Sequence, residues 1–313
     1  MFTSEERRKY IGGSDIAAVM GMSRWKTPLK LWLEKTGEAE PDDLSKNEAV
    51  QLGSELEEFV AQKFARETGK QVRKQSKMYI HKDYPFMAAH IDRLITGADE
   101  ILECKTCGSY KEDEWAEIVE IIEKDGIKEE KIIEKVPKEY LLQVIWYLGI
   151  TGKKLAHIAV LIGGQKFKKR KIEFDEELFE VMVDMAKAFW NCVQTKTPPA
   201  VAPEDNTVLS EIFSNPNNEL IQNQDIEKNI VKLQQIKDDI SALTGEKDML
   251  EAELKSIIGE SLGVETEKFK VTWPKYQKIQ INTKRLKDDG LYDSYVDKSS
   301  YRRLVVSEKK KAA

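Results

Sequence analysis

The sequence predicts an α/β (α+β) fold, a central mixed sheet flanked by helices, and three observations carry that prediction. Read from the N-terminus, the patterns run helix, helix, helix, strand, hairpin, helix, strand, strand, helix. Leu155 to Ile162 is an unbroken apolar run, the signature of a strand covered on both faces. Lys138 to Ile150, opened by Pro137 and stopped by Gly152, is apolar almost all round and must therefore be a buried helix.

Each element has its own local reason. Ile11-Gly12-Gly13-Ser14-Asp15 precedes a short helix over Ile16 to Met20, with Ser14 or Asp15 as its cap and Gly21 as its stop. Pro28 sits in the first turn of a helix carrying Leu29, Leu31, Trp32 and Leu33 and closing at Gly37. Asn47 to Thr68 is a helix stopped by Gly69, with Val50, Leu52, Leu56, Phe59, Val60 and Phe64 as its apolar face. Gln71 to Ile80 is strand-like. Met87 to Cys107 is a hairpin turned at Gly97-Ala98-Asp99-Glu100. In Gly108 to Val136, Trp115, Ile118, Ile121 and Ile122 fall at helical spacing, followed by a charged connector. Lys166 to Phe174 is a basic alternating strand, and Asp175 caps a helix from Glu176 to Gln194.

Pro198-Pro199 close this first domain, residues 1–200, and residues 201–219 read as a linker rich in Pro and Asn. Residues 220–262 carry Ile226, Ile230, Leu233, Ile236, Ile240, Leu243, Leu250, Leu254 and Ile257 at steps of three, four and seven, a long helix of coiled-coil type. Gly245 is its weak point, where the chain could instead fold back as a helical hairpin. Residues 263–313 read as a basic hairpin interrupted at Pro274, then a tail from Ser307. Lys268 to Lys287 holds seven Lys or Arg and no Asp or Glu, interleaved with Phe269, Trp273 and Tyr276. Cations hold phosphates and aromatic rings stack on bases, so Lys270, Trp273 and Lys275 are candidate DNA contacts; a solvated edge hairpin is the alternative.

Composition narrows the class. Hydrophobic content of 41% with 34% charged residues, no apolar run near the ~20 residues that span a bilayer, and a charged N-terminus without an apolar signal core predict a soluble cytoplasmic protein. Three cysteines build neither a disulfide framework nor a four-thiolate cluster. The formal net charge of −5 places any nucleic-acid contact on a local patch.

The chemistry gathers on the central hairpin. Glu103 and Lys105, two apart on one strand, share a face, whereas Cys104 points to the other. Asp92 lies near the end of the partner strand. Paired carboxylates suit a hard divalent cation, and a neighbouring lysine can orient a water on it. Glu57 on the third helix, if inward-facing, needs a partner such as a cation or Lys105, and a buried Gln143 must hydrogen-bond something. The N–H groups before Ile16, with Arg7 nearby, read either as an anion pocket or as an ordinary capped helix. Trp25, in the loop Ser23 to Pro28, reads either as a packing anchor or as a DNA contact.

Asp92 followed by Glu103-x-Lys105 resembles the PD-(D/E)xK nuclease core, with Ile91 where the signature often has Pro. Arg7, Ile11-Gly-Gly-Ser14-Asp15, Ser23-Arg-Trp-Lys-Thr-Pro28, Leu31 to Gly37, Gly53-x-x-x-Glu57, the triad and Gln143-x-x-x-Tyr147, in that order, resemble the YqaJ-type viral recombinases, relatives of phage lambda exonuclease, over residues 5 to 200. The resemblance implies a Mg2+-dependent 5′-to-3′ exonuclease on linear double-stranded DNA, with two ions and Mn2+ as a substitute. It leaves 3′ overhangs for a single-strand annealing protein of RecT or Red-beta type. It implies metal ligands at Asp92, Glu103, Glu57 and the Cys104 carbonyl, a water-positioning Lys105, a helix glutamine at Gln143, and a 5′-phosphate pocket of Arg7 and Ser14 with Arg8 adjacent. A homo-oligomer, a ring-shaped trimer in relatives, is implied as well. The rivals are a site- or structure-specific endonuclease of the same core and a non-catalytic DNA-end-binding scaffold.

Overall fold

The computed structural model describes residues 4–124, 127–217, 219–297 and 302–307. The first elements are α1 (Ser4–Arg8), α2 (Ile16–Val19), α3 (Pro28–Thr36) and α4 (Glu48–Thr68). Then come β1 (Val72–Lys74), β2 (Tyr79–Ile80), β3 (Ala88–Ala89), β4 (Arg93–Ile95) and β5 (Glu100–Cys107). A 3-10 turn over Ser109–Trp115 leads to β6 (Glu117–Lys124) and β7 (Ile127–Glu134). After these follow α5 (Lys138–Thr151), β8 (Leu155–Ile162), β9 (Lys166–Glu173), α6 (Glu176–Thr195) and α7 (Asp205–Ile212). The chain divides into two compact units, Met1–Ile212 and Phe213–Ala313.

The first unit is built on a five-stranded sheet in the order β1-β4-β5-β8-β9. The β5–β8 pair is parallel and the others are antiparallel. The long crossover between β5 and β8 contains α5, as parallel neighbours require. The even positions Leu102 and Cys104 of β5, with Ala159 and Leu161 of β8, pack under Val60, Ala61 and Phe64 of α4. Ile101, Ile158, Val160 and Ile162 pack with Leu142, Ile145, Trp146 and Phe179 of α5 and α6 in the larger core. Glu103 and Lys105 therefore fall on the α5 side. Local signals set several helix ends. Thr27 Oγ1 accepts from Lys30 N and Asn47 Oδ1 from Ala49 N and Val50 N, while Gly37, Gly69 and Gly152 close their helices with positive φ.

In the first unit several expectations need correction. The first strand of the Met87–Cys107 hairpin is two short strands: β3 pairs with β2, β4 pairs with β5, and the chain breaks between them at His90–Asp92. The helix read in Gly108 to Val136 is the β6–β7 hairpin. Two Ile-rich runs flank Asp125-Gly126, which lie outside the described residues. On α4, only Val60, Ala61 and Phe64 of the apolar positions are buried; Val50, Leu52 and Phe59 are exposed. In the stretch read as linker, α7 packs on α3, because buried Asp205 takes a hydrogen bond from Thr27 Oγ1 (2.5 Å) and one from Ala202 N (2.6 Å). Asp15 stands at the start of α2, yet its carboxylate does not cap that helix.

The second unit contains α8 (Glu227–Ile258), β10 (Gly263–Glu265), β11 (Lys270–Thr272) and α9 (Thr283–Asp288). The 32-residue α8 runs unbroken through Gly245, and Ile236, Ile240, Leu243, Leu250 and Leu254 along it are exposed. The hairpin pairs Gly263 with Thr272 and Glu265 with Lys270. It thus precedes Pro274, and its first strand lies upstream of the one expected. Of the tail, residues 308–313 lie outside the described residues.

Candidate active site

Antiparallel pairing of Arg93 with Leu102 places Asp92, the next residue, opposite Glu103. Asp92 Oδ2 accepts the Cys104 N–H at 2.9 Å, which draws the carboxylate in over β5. On the same face, Lys105 Nζ stands 2.6 Å from Glu103 Oε1 and 3.1 Å from Gln143 Oε1. Gln143, on the buried helix α5, donates to Glu103 Oε1 at 2.8 Å and to Tyr147 Oη at 2.7 Å. Its amide is thus fully used, which answers the requirement that a buried glutamine find partners. Tyr140, one turn earlier on α5, lies with its ring centre 4.7 Å from Lys105 Nζ.

The electrostatics of this cluster are those of an anionic hole. Burial, and then the neighbouring Glu103 charge, push the Asp92 carboxyl up to about 8. Glu103 Oε2 is buried with no hydrogen-bond partner among the described residues. A buried carboxylate oxygen without a donor is costly unless something cationic completes it. Burial opposes the charge on Lys105, but Glu103 and Asp92 more than offset it, and the ammonium pKa is raised. Lys105 is therefore a hydrogen-bond donor and a fixed positive charge. The Cys104 thiol faces the α4 side, where burial raises its pKa, so it is not a reactive thiolate.

Asp92 and Glu103 are the residues that could hold a divalent cation, and their hard oxygen donors with an unsatisfied Oε2 fit one. Among the described residues, no three His, Cys, Asp or Glu side chains are gathered as a metal cage. Glu57 shows why. Its Oε1 accepts from Arg93 Nη1 at 2.5 Å, and Glu58 Oε2 accepts from Arg93 Nη2 at 3.0 Å. Arg93 is almost fully buried, and sequence reading missed it. The partner expected for Glu57 was a cation or Lys105. A second missed residue is Lys35, whose buried Nζ donates to Asp15 Oδ2 (2.7 Å), Arg7 O (2.7 Å) and Tyr10 O (2.5 Å). Asp15 Oδ2 also accepts Gly12 N at 3.1 Å, so one carboxylate oxygen ties the Gly-Gly loop to Lys35. Gly13 has no positive φ; it is small because a β-carbon there would collide with the Tyr147 ring.

These parts share one space. A cavity of about 850 Å3 is lined by Arg7, Arg8, Ser14, Lys35, Glu57, Asp92, Glu103, Gln143 and Tyr147. A smaller one, about 250 Å3, shares Glu57, Asp92 and Glu103 with it and adds Cys104, Lys105 and Gly53 of α4. Arg8 is engaged by Glu40 at 2.5 Å, whereas Arg7 forms no ion pair among the described residues and is exposed on the cavity wall. Trp25 is more than half exposed and faces Tyr140. Lys270, Trp273 and Lys275 belong to the second unit, where Trp273 is about half exposed with Lys255 Nζ over its ring.

Residues 4–154 match the model of the YqaJ-like viral recombinase domain. The uncharacterized protein YqaJ of Bacillus subtilis (strain 168) is 34% identical over 97% of this chain and 92% of its own length. The chain belongs to the YqaJ family. The family match ends just past α5, and so covers Arg7, Ser14, Glu57, the Asp92–Glu103–Lys105 cluster and Gln143. Solved structures to which this YqaJ-family chain is similar include the alkaline exonuclease LHK-Exo from Laribacter hongkongensis, with a TM-score of 0.48 and 19% identity over 61% of this chain and 91% of that one. A phage-related exonuclease from Haemophilus somnus 129PT aligns with a TM-score of 0.40 and 12% identity over 59% of this chain and 94% of that one.

Proposed function

We propose that this chain is a divalent-metal-dependent exonuclease that digests the 5′-ended strand of linear double-stranded DNA. The observation that carries the reading is the single cavity lined by Asp92 and Glu103 at one part of its wall and by Arg7 and Ser14 at another. Carboxylates suited to a cation and a free arginine suited to a terminal phosphate then face the same bound strand.

In this reading Asp92 and Glu103 would hold Mg2+, two ions when DNA is bound, with Mn2+ as a substitute; the Cys104 carbonyl would add a ligand, and Glu57 would join them only on giving up its bond with Arg93. The cation supplies Lewis-acid activation of the scissile phosphate and of water. Lys105, cationic and 2.6 Å from Glu103, donates to the attacking water or to a phosphate oxygen. Gln143 fixes Glu103 and Lys105 relative to one another. Arg7 and Ser14 bind the 5′-phosphate, so each cut presents a new phosphate to the same pocket. The 3′ overhang left behind is the substrate of a RecT- or Red-beta-like annealing protein. Function as a homo-oligomer, a ring-shaped trimer threaded by DNA, in the cytoplasm of a bacterial or phage-infected cell belongs to the same proposal. Among the described residues, no helix is long and apolar enough to cross a membrane.

The test uses linear duplex DNA labelled separately at each end, bearing 5′-phosphate or 5′-hydroxyl, with Mg2+ or EDTA, beside a closed circle. The expected result is Mg2+-dependent loss of the 5′-ended strand, faster with phosphate and absent on the circle. Cutting of the circle would replace the proposal with an endonuclease. Bound but undigested DNA in Mg2+ and Mn2+ would replace it with an end-binding scaffold.

A further inference from the structure

Three ring contacts lead outward from the catalytic lysine. Tyr140 carries Lys105 Nζ over its ring at 4.7 Å, stacks on the buried Trp115 at 5.9 Å and 22°, and meets Trp25 at 6.1 Å. Trp115 is fully buried, whereas Trp25 is 55% exposed. The loop that carries the exposed ring is tied down by its neighbours. Its neighbour Arg24 donates to Glu139 through Nε (2.6 Å) and Nη2 (3.2 Å) and to Glu114 through Nη1 (2.7 Å), and lies 5.5 Å from the Trp25 ring centre. The N–H groups of Trp25 and Lys26 both donate to Ser23 Oγ, at 3.2 and 3.3 Å. Just over half of the indole is open to solvent, on a loop held by these bonds. It is a preset flat surface.

Its place along α5 gives its role. Tyr140, Gln143 and Tyr147 recur at helical spacing on one side of the helix. Tyr147 lies against Gly13, next to Ser14; Gln143 holds Glu103 and Lys105; Tyr140 leads to Trp25. The two ends of this row are about 10 Å apart at 1.5 Å per residue. A strand whose terminal phosphate sits at Ser14 and whose scissile phosphate sits at Glu103 and Lys105 continues, beyond the cut, toward Trp25.

We propose that Trp25 is a base-stacking platform for the second nucleotide of the digested strand, the one that becomes the new 5′ end. This rests on the exonuclease reading above. Stacking there holds the next nucleotide in place before its phosphate is freed. Every base has a π face, so the platform is indifferent to sequence but requires a base.

The experiment compares digestion of 5′-phosphorylated duplex with an abasic site at position 1, 2 or 4 of the digested strand, by the full-length wild type, Trp25→Ala and Trp25→Phe, whose folding is checked by thermal melting. For the wild type, an abasic second position lowers the rate of the first cut about ten-fold, the size of one base–aromatic stack, and position 4 leaves it unchanged. Trp25→Ala cuts intact DNA about ten-fold more slowly and no longer distinguishes an abasic second position; Trp25→Phe retains part of the discrimination. Fast first cuts by the wild type on the position-2 abasic substrate, or equal discrimination by wild type and Trp25→Ala, would overturn the stacking proposal and leave the exonuclease reading intact. No digestion of any substrate by the wild type would remove the exonuclease reading and this proposal with it.

Discussion

Asp92→Asn separates the cost of the site from its use. The Asp92 carboxyl is moved from 3.8 to about 8 by burial and by Glu103. An acid whose folded pKa lies above its unfolded one loses its proton first in the unfolded chain. Stability therefore falls as pH rises from about 4 to about 8, by about 1.4 kcal/mol per pH unit, and then levels. The part of the shift passed by pH 7 corresponds to an upper limit of about 4 kcal/mol, and the whole shift to about 6 kcal/mol. Asp92 lines both cavities, so water reaches it, and about 2 kcal/mol is the expected size. Asparagine keeps an acceptor for the Cys104 N–H and removes the charge. In EDTA the variant should melt about 4–8 °C above the wild type at pH 8, for a unit of this size. The gap should shrink steadily toward pH 5. Melting curves of both proteins from pH 5 to 9 measure it. Adding Mg2+ at pH 8 should raise the wild type and leave the variant unmoved. A gap that is absent, or constant across that pH range, would refute the account of Asp92 as a buried, unneutralised carboxyl.

Further outcomes follow from the same geometry. Lys105→Ala should bind DNA ends but not cut them; substantial digestion by that variant would take Lys105 out of its role. Arg7→Ala should lose the preference for 5′-phosphorylated over 5′-hydroxyl ends while still cutting, and an unchanged ratio of the two rates would move the pocket elsewhere. Gly13→Ala forces Tyr147 off its hydrogen bond with Gln143; it should lower activity at least ten-fold and stability by about 1–3 kcal/mol, the usual cost of overpacking, as read by melting and single-turnover cutting. Gln143→Leu leaves Lys105 and Tyr147 each short of one partner; a wild-type single-turnover rate would show that Gln143 does not position the cluster.

The sequence by itself determined what depends on local period and local capping. A repeat of two along β5 was enough to put Glu103 and Lys105 together and Cys104 on the opposite side. Asn47 with Gly69, Pro28 with Gly37, and Asp175 marked helix ends through side-chain, proline and glycine preferences that act within four residues. The same local reading failed where competing periods overlapped. Ile118, Ile121 and Ile122 fit a helix as well as a strand, and only pairing with β7 decides between them. The apolar residues at the start of α4 were legible as a stripe, but the sheet reaches only as far as Val60, Ala61 and Phe64. Above all, the tertiary structure decided who neutralises whom. Arg93 meets Glu57 across 36 residues and Gln143 meets Glu103 across 40. Among the described residues, Glu103 Oε2 is left without a donor. Such pairings follow from how buried elements pack, and the desolvation that makes them matter exists only once the chain has closed over them.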